Sequence, residues 1–529
     1  MLWIIISWIL SLFYVLPWGG FFFKLFSLQP TSEENKYSLD FIFLGGLIFL
    51  CCMLNILSLF SGFSIYTYIP FTLFSVHFFY KNMREISYFS FLKDLSKKDF
   101  YLILVGIIVM IIRTADTNIV PDSGYYHEQS ILWIQKFGLI LGLGNIHYPL
   151  SVNSSYFTLA AYHRFLLTHD NLLGLICVLW MFRVFYETKR KNVFALISFL
   201  LYMIAFKRTI SSASPDLPNG IFLWYVFYLV NYAKDYTLKF RGVLAFLFST
   251  FAISIKLLSV PILLVPLYFI FKHKMWKEFI PVVCWGLLLN IPWFIRNICI
   301  SGYLIYPFYK IDLFSVDWKI PAKMVELESD YIKAWSRIWM TPKEKLKEVL
   351  AMSVVEWFPY WLKSYSFYYK PVMLLSIILV PINLLRWKNK MSMIGILVIC
   401  LLFWFFNAPD IRYGAFYIFI FFSYLVADFK LMSKERFFKG CQFILVIVMI
   451  SRLNPRLHQL VYSYSYGHPR ELVKFSSTYV YIDSVKFNIP LNHPRENCYI
   501  IELPCFPPHR VNTIELRGKT IKDGVKHKK

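Results

Sequence analysis

The chain has 529 residues, of which 58% are hydrophobic and only 16% are charged. Soluble globular domains average roughly 45–50% apolar and about 25% charged residues, so this composition excludes an ordinary soluble enzyme and predicts an integral membrane protein in a lipid bilayer. The formal net charge is +24. Because the basic residues lie mostly in short loops between apolar runs, we attribute the charge to membrane anchoring and expect no nucleic-acid partner.

Apolar runs recur along the first 452 residues and predict an all-α fold with about 12–14 transmembrane helices. The runs cover residues 3–23, 41–60, 63–80, 101–114, 170–185, 193–207, 217–233, 242–256, 259–272, 279–295, 371–385, 391–407, 411–427 and 438–452. Several are shorter than the ~20 residues that a span needs, so one or two are expected to be half-helices or merged pairs. We divide the chain into N-terminal transmembrane helices (1–100), a transmembrane core (101–452) and a small C-terminal segment (453–529).

Basic residues alternate between loops, which predicts the orientation of the helices. They cluster in the loops around residues 81–98, 189–191, 234–241, 272–277, 386–390 and 430–439. The positive-inside rule places these loops in the cytoplasm. Two long segments, residues 115–170 and 296–370, and the C-terminal tail then lie on the extracytoplasmic face, and their aromatic content predicts that both long segments are folded.

The tail is expected to contain two strands, at residues 478–482 and 498–502. It also holds Cys498 and Cys505. The sequence leaves open whether these two cysteines form a disulfide in an oxidising compartment or remain separate thiols.

The first long outer segment carries the densest group of polar residues in the chain. Its candidates are Asp116, Asp122, Tyr126, His127, Glu128, Asn145, His147 and Asn153. The dipeptide after Asp122 favours a turn that presents this carboxylate, and residues 127–137 suit a helix that lies in the membrane interface. Glycines at 142 and 144 would let the backbone approach a ligand closely. The alternative is structural: Asp122 caps a helix, while His147 and Asn153 tie down a loop.

Two later outer connections add cationic candidates. Lys256 lies at a helix–helix turn, and Asp410 and Arg412 lie between two late spans. The planar guanidinium of Arg412 can bind a phosphate through two parallel hydrogen bonds. The alternatives are a local ion pair between Arg412 and Asp410 or contact with lipid headgroups.

Two sequence patterns resemble known families. Residues 292–308, which begin Pro-Trp-Phe-Ile-Arg-Asn and continue with Ser301, Gly302 and Pro307-Phe308, resemble the P-W-x-x-[KR]-N-x-x-x-[ST]-G-N-P-x-x-P-F pattern of polytopic GT-C glycosyltransferases, relatives of protein mannosyltransferases. Tyr303 and Leu304 replace the usual Asn and Pro. Residues 122–127, Trp133, 142–147 and 153–155 are similar to bacterial multispanning proteins with D-S-G-x-Y-H, P-G-L-G-N-x-H and N-S-S motifs, with Leu141 where Pro usually stands.

The resemblance implies a GT-C-like helical bundle with interfacial helices in a large outer loop, in a bacterial cytoplasmic membrane, with the active site on the extracytoplasmic face. Three apolar runs more than usual precede the acidic loop. The implied reaction moves a sugar from a polyprenyl phosphate to an acceptor hydroxyl on a lipid, glycan or protein, with inversion. The alternatives are a polymerase or ligase of surface polysaccharide and a transporter or flippase of lipid-linked saccharide.

The same resemblance implies roles for the candidate residues. Asp122 is expected to be the general base. The donor phosphate is expected to contact Arg296, Arg412, Lys256 and His127, and the substrates are expected to contact Tyr126, Glu128, Asn145, His147, Asn153 and Asp410. No resident cofactor is expected, and no residue is assigned as a metal ligand. The sequence leaves open whether a divalent metal ion takes part.

Overall fold

The structure is a computed structural model that describes residues 2–28, 38–82, 96–116, 120–164, 171–207, 209–364, 369–386, 388–429, 476–491 and 497–528, with Gly440 and Ile447. In this part of the chain the protein is mostly helical. The first nine α-helices are α1 (Leu2–Leu25), α2 (Leu39–Ser58), α3 (Ile65–Asn82), α4 (Lys97–Thr114), α5 (Glu128–Phe137), α6 (Ser155–His163), α7 (Leu172–Lys189), α8 (Val193–Phe206) and α9 (Asp216–Asn231). The next nine are α10 (Leu238–Ile255), α11 (Leu264–Lys272), α12 (Trp276–Ser301), α13 (Ala322–Arg337), α14 (Leu346–Ala351), α15 (Val354–Ser364), α16 (Tyr369–Arg386), α17 (Met391–Asn407) and α18 (Ile411–Val426).

The apolar runs up to residue 427 correspond to helices, as predicted. The run at 259–272 forms a 3₁₀ turn, Leu257–Leu263, that continues into α11. The run at 438–452 lies almost wholly outside the described residues. In the part of the chain that the structure describes, five helices, namely α1, α2, α10, α12 and α16, are long and apolar enough to cross a membrane, which indicates a membrane protein. This is fewer than the predicted 12–14 spans because several other apolar helices are only 14–17 residues long.

The bundle surrounds a helix that is apolar on every side. All residues of α9 except Asn231 are buried, and α9 packs against α10, α18 and α7. A helix that is hydrophobic all round belongs in the interior of a bundle. At the periphery, α12 and α16 expose large apolar side chains such as Leu287 and Ile377, which suits contact with lipid.

Several ion pairs lie together at one end of this bundle. Lys189 lies 2.7 Å from Asp99, Lys390 lies 2.7 Å from Asp428, and Arg190 pairs with Asp235. These pairs join loops that the charge pattern places on one face. Asp235 and Asp428 follow the carboxyl ends of α9 and α18, whereas the amino ends of the same two helices lie at the other end of the bundle. The structure thus brings loops of like predicted sidedness together.

The second long segment is folded, as its aromatic content predicted. It contains α13, α14 and α15. The predicted start of this segment at residue 296 is too early, because α12 continues to Ser301 and ends at Gly302, which takes the left-handed conformation that suits glycine (φ 83°). Arg296 and Asn297 therefore lie inside a helix.

The C-terminal tail is a small β unit, whereas the bundle that precedes it in the described chain is all-α. Strand β1 (Ser477–Ile482) pairs antiparallel with β2 (Val485–Pro490), and β3 (Ile514–Leu516) pairs antiparallel with β4 (Val525–His527). The strand predicted at 478–482 is present. The one predicted at 498–502 is wrong, because the Ile501 N–H donates to the carbonyl of Cys498 and closes a turn.

Cys498 and Cys505 form a disulfide, which decides the question that the sequence left open. The free cysteines among the described residues are Cys51, Cys52, Cys177, Cys284, Cys299 and Cys400. Four of these six are buried, where a thiol behaves as a small apolar side chain.

Candidate functional site

Arg412 joins the first outer segment to the start of α18. Its Nη1 donates a hydrogen bond to Oδ2 of Asp122 at 2.9 Å, and its Nη2 donates to Oδ2 of Asp410 at 2.9 Å. The side chains of Arg412 and Asp122 keep 34% and 28% of their surface exposed, so a ligand can reach this pair. The local pair with Asp410 is present, as the structural alternative held, but the same guanidinium also binds a carboxylate 290 positions away.

A second ion pair lies beside the first. The Lys256 ammonium donates to the Asp216 carboxylate and lies 3.5 Å from the ring centroid of Tyr413. The guanidinium carbon of Arg412 lies 5.4 Å from the same ring centroid. One aromatic ring therefore contacts both cations. We call Asp122, Asp216, Lys256, Asp410 and Arg412 the charged cluster.

Each member of the charged cluster lies at a helix end, where the chain enters or leaves the bundle. Asp410 caps α18, because its side chain accepts a hydrogen bond from the backbone N–H of Arg412 at 2.9 Å. Asp216 begins α9, and Lys256 follows α10. Asp122 precedes a π-helical turn, Ser123–His127, but its side chain makes no capping hydrogen bond, so capping does not account for it.

Tyr126 and His127 interact electrostatically with members of the charged cluster. Burial raises the pKa of Tyr126, and the neighbouring Asp122 carboxylate raises it further, so this phenol is a hydrogen-bond donor. Burial also lowers the pKa of His127 to about 4, although Asp122 and Asp216 act in the opposite direction. His127 is therefore neutral at neutral pH, and it would contact a phosphate by hydrogen bonding and not as a cation.

Glu128 and the helix that contains it have structural partners. The carboxylate of Glu128 is buried and accepts a hydrogen bond from Nη1 of Arg164 at 2.8 Å. The predicted interfacial helix is α5, and six of its ten residues are buried inside the protein. Its Gln129 side chain donates to the backbone carbonyls of Tyr499 and Ile501, at 2.9 and 3.3 Å, so the tail covers part of α5.

Arg296 belongs to a different set of contacts. Its Nη1 donates to the Ser58 hydroxyl at 2.6 Å, and its Nε donates to Oδ1 of Asn153 at 3.4 Å. Asn153 in turn donates to Asn297 at 3.0 Å and accepts from the indole of Trp293. The two sequence patterns that resemble known families, at residues 153–155 and 292–308, therefore meet in one buried network. This network anchors the outer segment to α12. These contacts do not support the predicted convergence of Arg296 and Arg412 on one phosphate.

Asn145 and His147 lie in the same segment and contact other parts of the outer face. Nδ2 of Asn145 donates to the carbonyls of Gly142 and Trp318, at 3.2 and 2.8 Å, which holds this loop against the second outer segment. The His147 ring packs edge-on against Tyr125, with ring centroids 4.7 Å apart. Neither residue has a direct hydrogen bond to the charged cluster among the described contacts.

Gly142 leaves space for the C-terminal tail and not for a ligand. Its φ is 68°, and a Cβ built there would lie 1.9 Å from the carbonyl oxygen of Val525. The N–H of Val525 donates to the carbonyl of Leu141 at 2.8 Å, so β4 is hydrogen-bonded to this loop. A mixed apolar core of Trp133, Ile140, Leu143, Phe487, Phe506 and Val525 joins the outer segment to the tail.

We expect Gly142→Ala to detach the tail, because the added Cβ overlaps Val525 and a non-glycine residue at positive φ costs about 1–2 kcal/mol. Limited proteolysis of the purified protein should then cut between residues 476 and 528 faster than in the wild type. Gly395→Ala is the matched control, since a Cβ there meets nothing within 4 Å. A tail as resistant in Gly142→Ala as in Gly395→Ala would contradict the docking described above.

Sequence reasoning named Lys256, Asp410 and Arg412 but missed their companions Asp216 and Tyr413 as site residues. The signal was present, because Asp216 and Lys256 both interrupt apolar runs at the same predicted face. Within the described ranges, no group of three or more His, Cys, Asp or Glu side chains is arranged to hold a metal ion.

A family model described as Domain of unknown function (DUF8201) matches residues 1–419. The match covers the helical bundle through most of α18 and includes every member of the charged cluster. No curated protein and no solved structure matches the chain.

Proposed function

The chain belongs to the family described as Domain of unknown function (DUF8201), and we propose that it is a membrane glycosyltransferase that moves a sugar from a polyprenyl phosphate to an acceptor hydroxyl. The observation that carries this proposal is the bridge from Arg412 to Asp122 beside the Lys256–Asp216 pair. A reachable carboxylate thus lies next to two cations at one end of an apolar bundle. General-base transfer from an anionic lipid donor needs this combination.

The two cations suit a departing phosphate. Arg412 is held by two carboxylates, and an incoming phosphate can replace Asp122 on the guanidinium because both present anionic oxygen acceptors to its N–H groups. That exchange frees the Asp122 carboxylate for the acceptor. Lys256 supplies a second positive charge nearby. The apolar bundle below would accommodate the polyprenyl chain.

The transfer step is a single displacement. The acceptor oxygen forms a bond to the anomeric carbon on the face opposite the phosphate, and its proton passes to the carboxylate of Asp122. The bond between the anomeric carbon and the phosphate oxygen breaks, and its electron pair leaves with the phosphate. The polyprenyl phosphate departs against Arg412 and Lys256, and the configuration at the anomeric carbon is inverted.

A transfer assay tests the proposal. The full chain is reconstituted in lipid vesicles with polyprenyl phosphates that carry radiolabelled hexoses, together with an extract of bacterial envelope glycans as acceptor. We expect label to leave the lipid fraction and join the acceptor. Label that crosses the bilayer while still attached to polyprenyl phosphate would indicate a transporter and overturn the proposal, as would label that neither crosses nor transfers.

We further propose that the charged cluster faces the extracytoplasmic side, because the lysine-rich loops lie at the other end of the bundle and because the tail carries a disulfide. Single cysteines at the exposed positions Pro121 and Lys191, in a variant that otherwise keeps only Cys498 and Cys505, test this with a membrane-impermeant thiol reagent. In intact cells we expect labelling at 121 and none at 191. The reverse result would place the cluster in the cytoplasm and remove the reason for a lipid-linked donor.

A further inference from the structure

A second polar cluster contacts the ring of Tyr125 through His147. Three of its side chains are buried, and each has a polar atom without a hydrogen-bond partner among the described residues: Nε2 of His147 and the hydroxyls of Tyr148 and Tyr306. Nε of Arg510, from the tail, is also buried without a partner. Buried polar atoms are nearly always hydrogen-bonded, so four unpartnered atoms in one place indicate a site for a bound molecule.

The contacts place these groups around one location. The guanidinium carbon of Arg510 lies 3.6 Å from the ring centroid of Tyr148. Tyr148 and Tyr306 pack in the same apolar cluster, and Tyr306 interacts electrostatically with Glu328 and Arg510. Glu328, in α13, completes the group. We call His147, Tyr148, Tyr306, Glu328 and Arg510 the tyrosine cluster.

Tyr125 connects the tyrosine cluster to the charged cluster. Its ring packs edge-on against His147, with centroids 4.7 Å apart. Tyr125 also lies three residues after Asp122 in the chain. The tyrosine cluster therefore contacts the segment that carries the carboxylate to which we assign the role of base.

The hydrogen-bonding character of the tyrosine cluster is mixed. Burial lowers the pKa of His147 to about 3, so at neutral pH its ring is neutral and offers one donor nitrogen and one acceptor nitrogen. Burial also raises the pKa of Glu328. Tyrosine hydroxyls both donate and accept, and Arg510 only donates. An anion needs donors on every side, whereas sugar hydroxyls both donate and accept.

We propose that the tyrosine cluster binds a neutral sugar ring of the acceptor, so that the acceptor is a saccharide and one of its hydroxyls reaches Asp122. The stacked Tyr148 and Arg510 supply a planar surface against which such a ring can pack, and the unpartnered atoms offer hydrogen bonds to its hydroxyls. This inference rests on the proposed glycosyltransferase function. It also makes the C-terminal tail part of the substrate site through Arg510.

The binding test uses the full chain in lipid nanodiscs with neutral pentasaccharides of glucose, mannose, galactose or N-acetylglucosamine. A pentasaccharide of galacturonic acid is the matched acidic probe, and saturation-transfer NMR reports binding. We expect at least one neutral probe to bind the wild type. Tyr306→Phe and Tyr148→Phe should each weaken its binding about fivefold to tenfold, the loss of one hydrogen bond.

Tyr303→Phe is the matched control. The Tyr303 hydroxyl already donates to the carbonyl of Ile320 at 2.9 Å, so its removal should lower the melting temperature and leave saccharide binding unchanged. Tyr306→Phe removes a hydroxyl without a partner, so it should leave the melting temperature of the free protein unchanged or raised. A merely structural Tyr306 would instead lower the melting temperature and leave saccharide binding unaltered.

The outcomes separate this inference from the proposed function. Failure of all neutral probes to bind, meaning that water alone fills the cluster, overturns the inference, as does preference for the acidic probe. Sugar transfer whose acceptor KM is unchanged in Tyr306→Phe overturns the inference and leaves the glycosyltransferase proposal standing. Neutral saccharide binding that is lost in Tyr306→Phe, in a protein that transfers no sugar, supports the site and overturns the glycosyltransferase proposal.

Discussion

Asp122→Asn should lower the rate of sugar transfer by about 10²- to 10⁴-fold, the usual loss when a general base is removed. The amide keeps the shape of the side chain and can still accept a hydrogen bond from Arg412, but it cannot take the proton of the acceptor hydroxyl. The rate is measured as labelled hexose joining the acceptor in reconstituted vesicles. Because the Arg412 contact survives, donor binding should change far less than the rate.

Asp317→Asn is a matched control for this substitution. Asp317 also pairs with an arginine, since it accepts a hydrogen bond from Nε of Arg517 at 2.8 Å, but that pair lies between the second outer segment and the tail. We expect normal transfer in this variant. Full transfer in Asp122→Asn, at normal membrane levels, would refute the assignment, and Asp216 would become the next candidate base because it lies in the same charged cluster.

Arg412→Lys should weaken the binding of polyprenyl phosphate by about 10- to 100-fold, the equivalent of losing a charge-assisted hydrogen bond. A lysine ammonium is a single point donor and cannot replace the guanidinium that contacts Asp122 and Asp410 together. Binding to nanodisc-embedded protein can be followed by native mass spectrometry with polyprenyl phosphate as the probe.

Arg296→Lys separates the two arginines. Arg296 is buried and donates to Ser58 and Asn153, so its replacement should destabilise the fold by about 1–3 kcal/mol, the cost of leaving buried acceptors unsatisfied. The melting temperature should fall, while the protein that remains folded should bind polyprenyl phosphate normally. Equal loss of donor binding in both variants, with no change in melting temperature, would restore the predicted convergence of Arg296 and Arg412.

The docked tail and its disulfide lie beside the part of the outer segment that carries Asp122. The N–H of Tyr499, next to Cys498, donates to the carbonyl of Gly124 at 3.3 Å. Gly124 lies two residues after Asp122. The tail therefore contacts the backbone that carries the proposed base, and the disulfide constrains the same stretch of tail. The glycines and polar side chains of residues 124–147 therefore hold the tail, in addition to any ligand that they bind.

The sequence by itself determined which segments form helices and which helix ends carry polar residues. Apolar runs specified most of the helices, because a continuous apolar stretch buries its surface best as a helix. Charged residues at the ends of the apolar runs indicated which helix ends carry polar side chains. Asp122, Asp410, Arg412 and Lys256 could be selected in this way, since each interrupts or bounds an apolar run at one predicted face.

Only the tertiary structure decided which of those residues meet. The length of an apolar run sets the height of a polar residue along the bundle, but the rotation and neighbours of each helix are set by packing between helices distant in sequence. Arg296 and Arg412 were both expected at the outer face, yet Arg296 lies inside α12 and binds Ser58, whereas Arg412 begins α18 and binds Asp122. The strand expected at 498–502 became a turn held by Gln129, because a tail that docks on another segment exchanges its own pairing for contacts that no local pattern specifies.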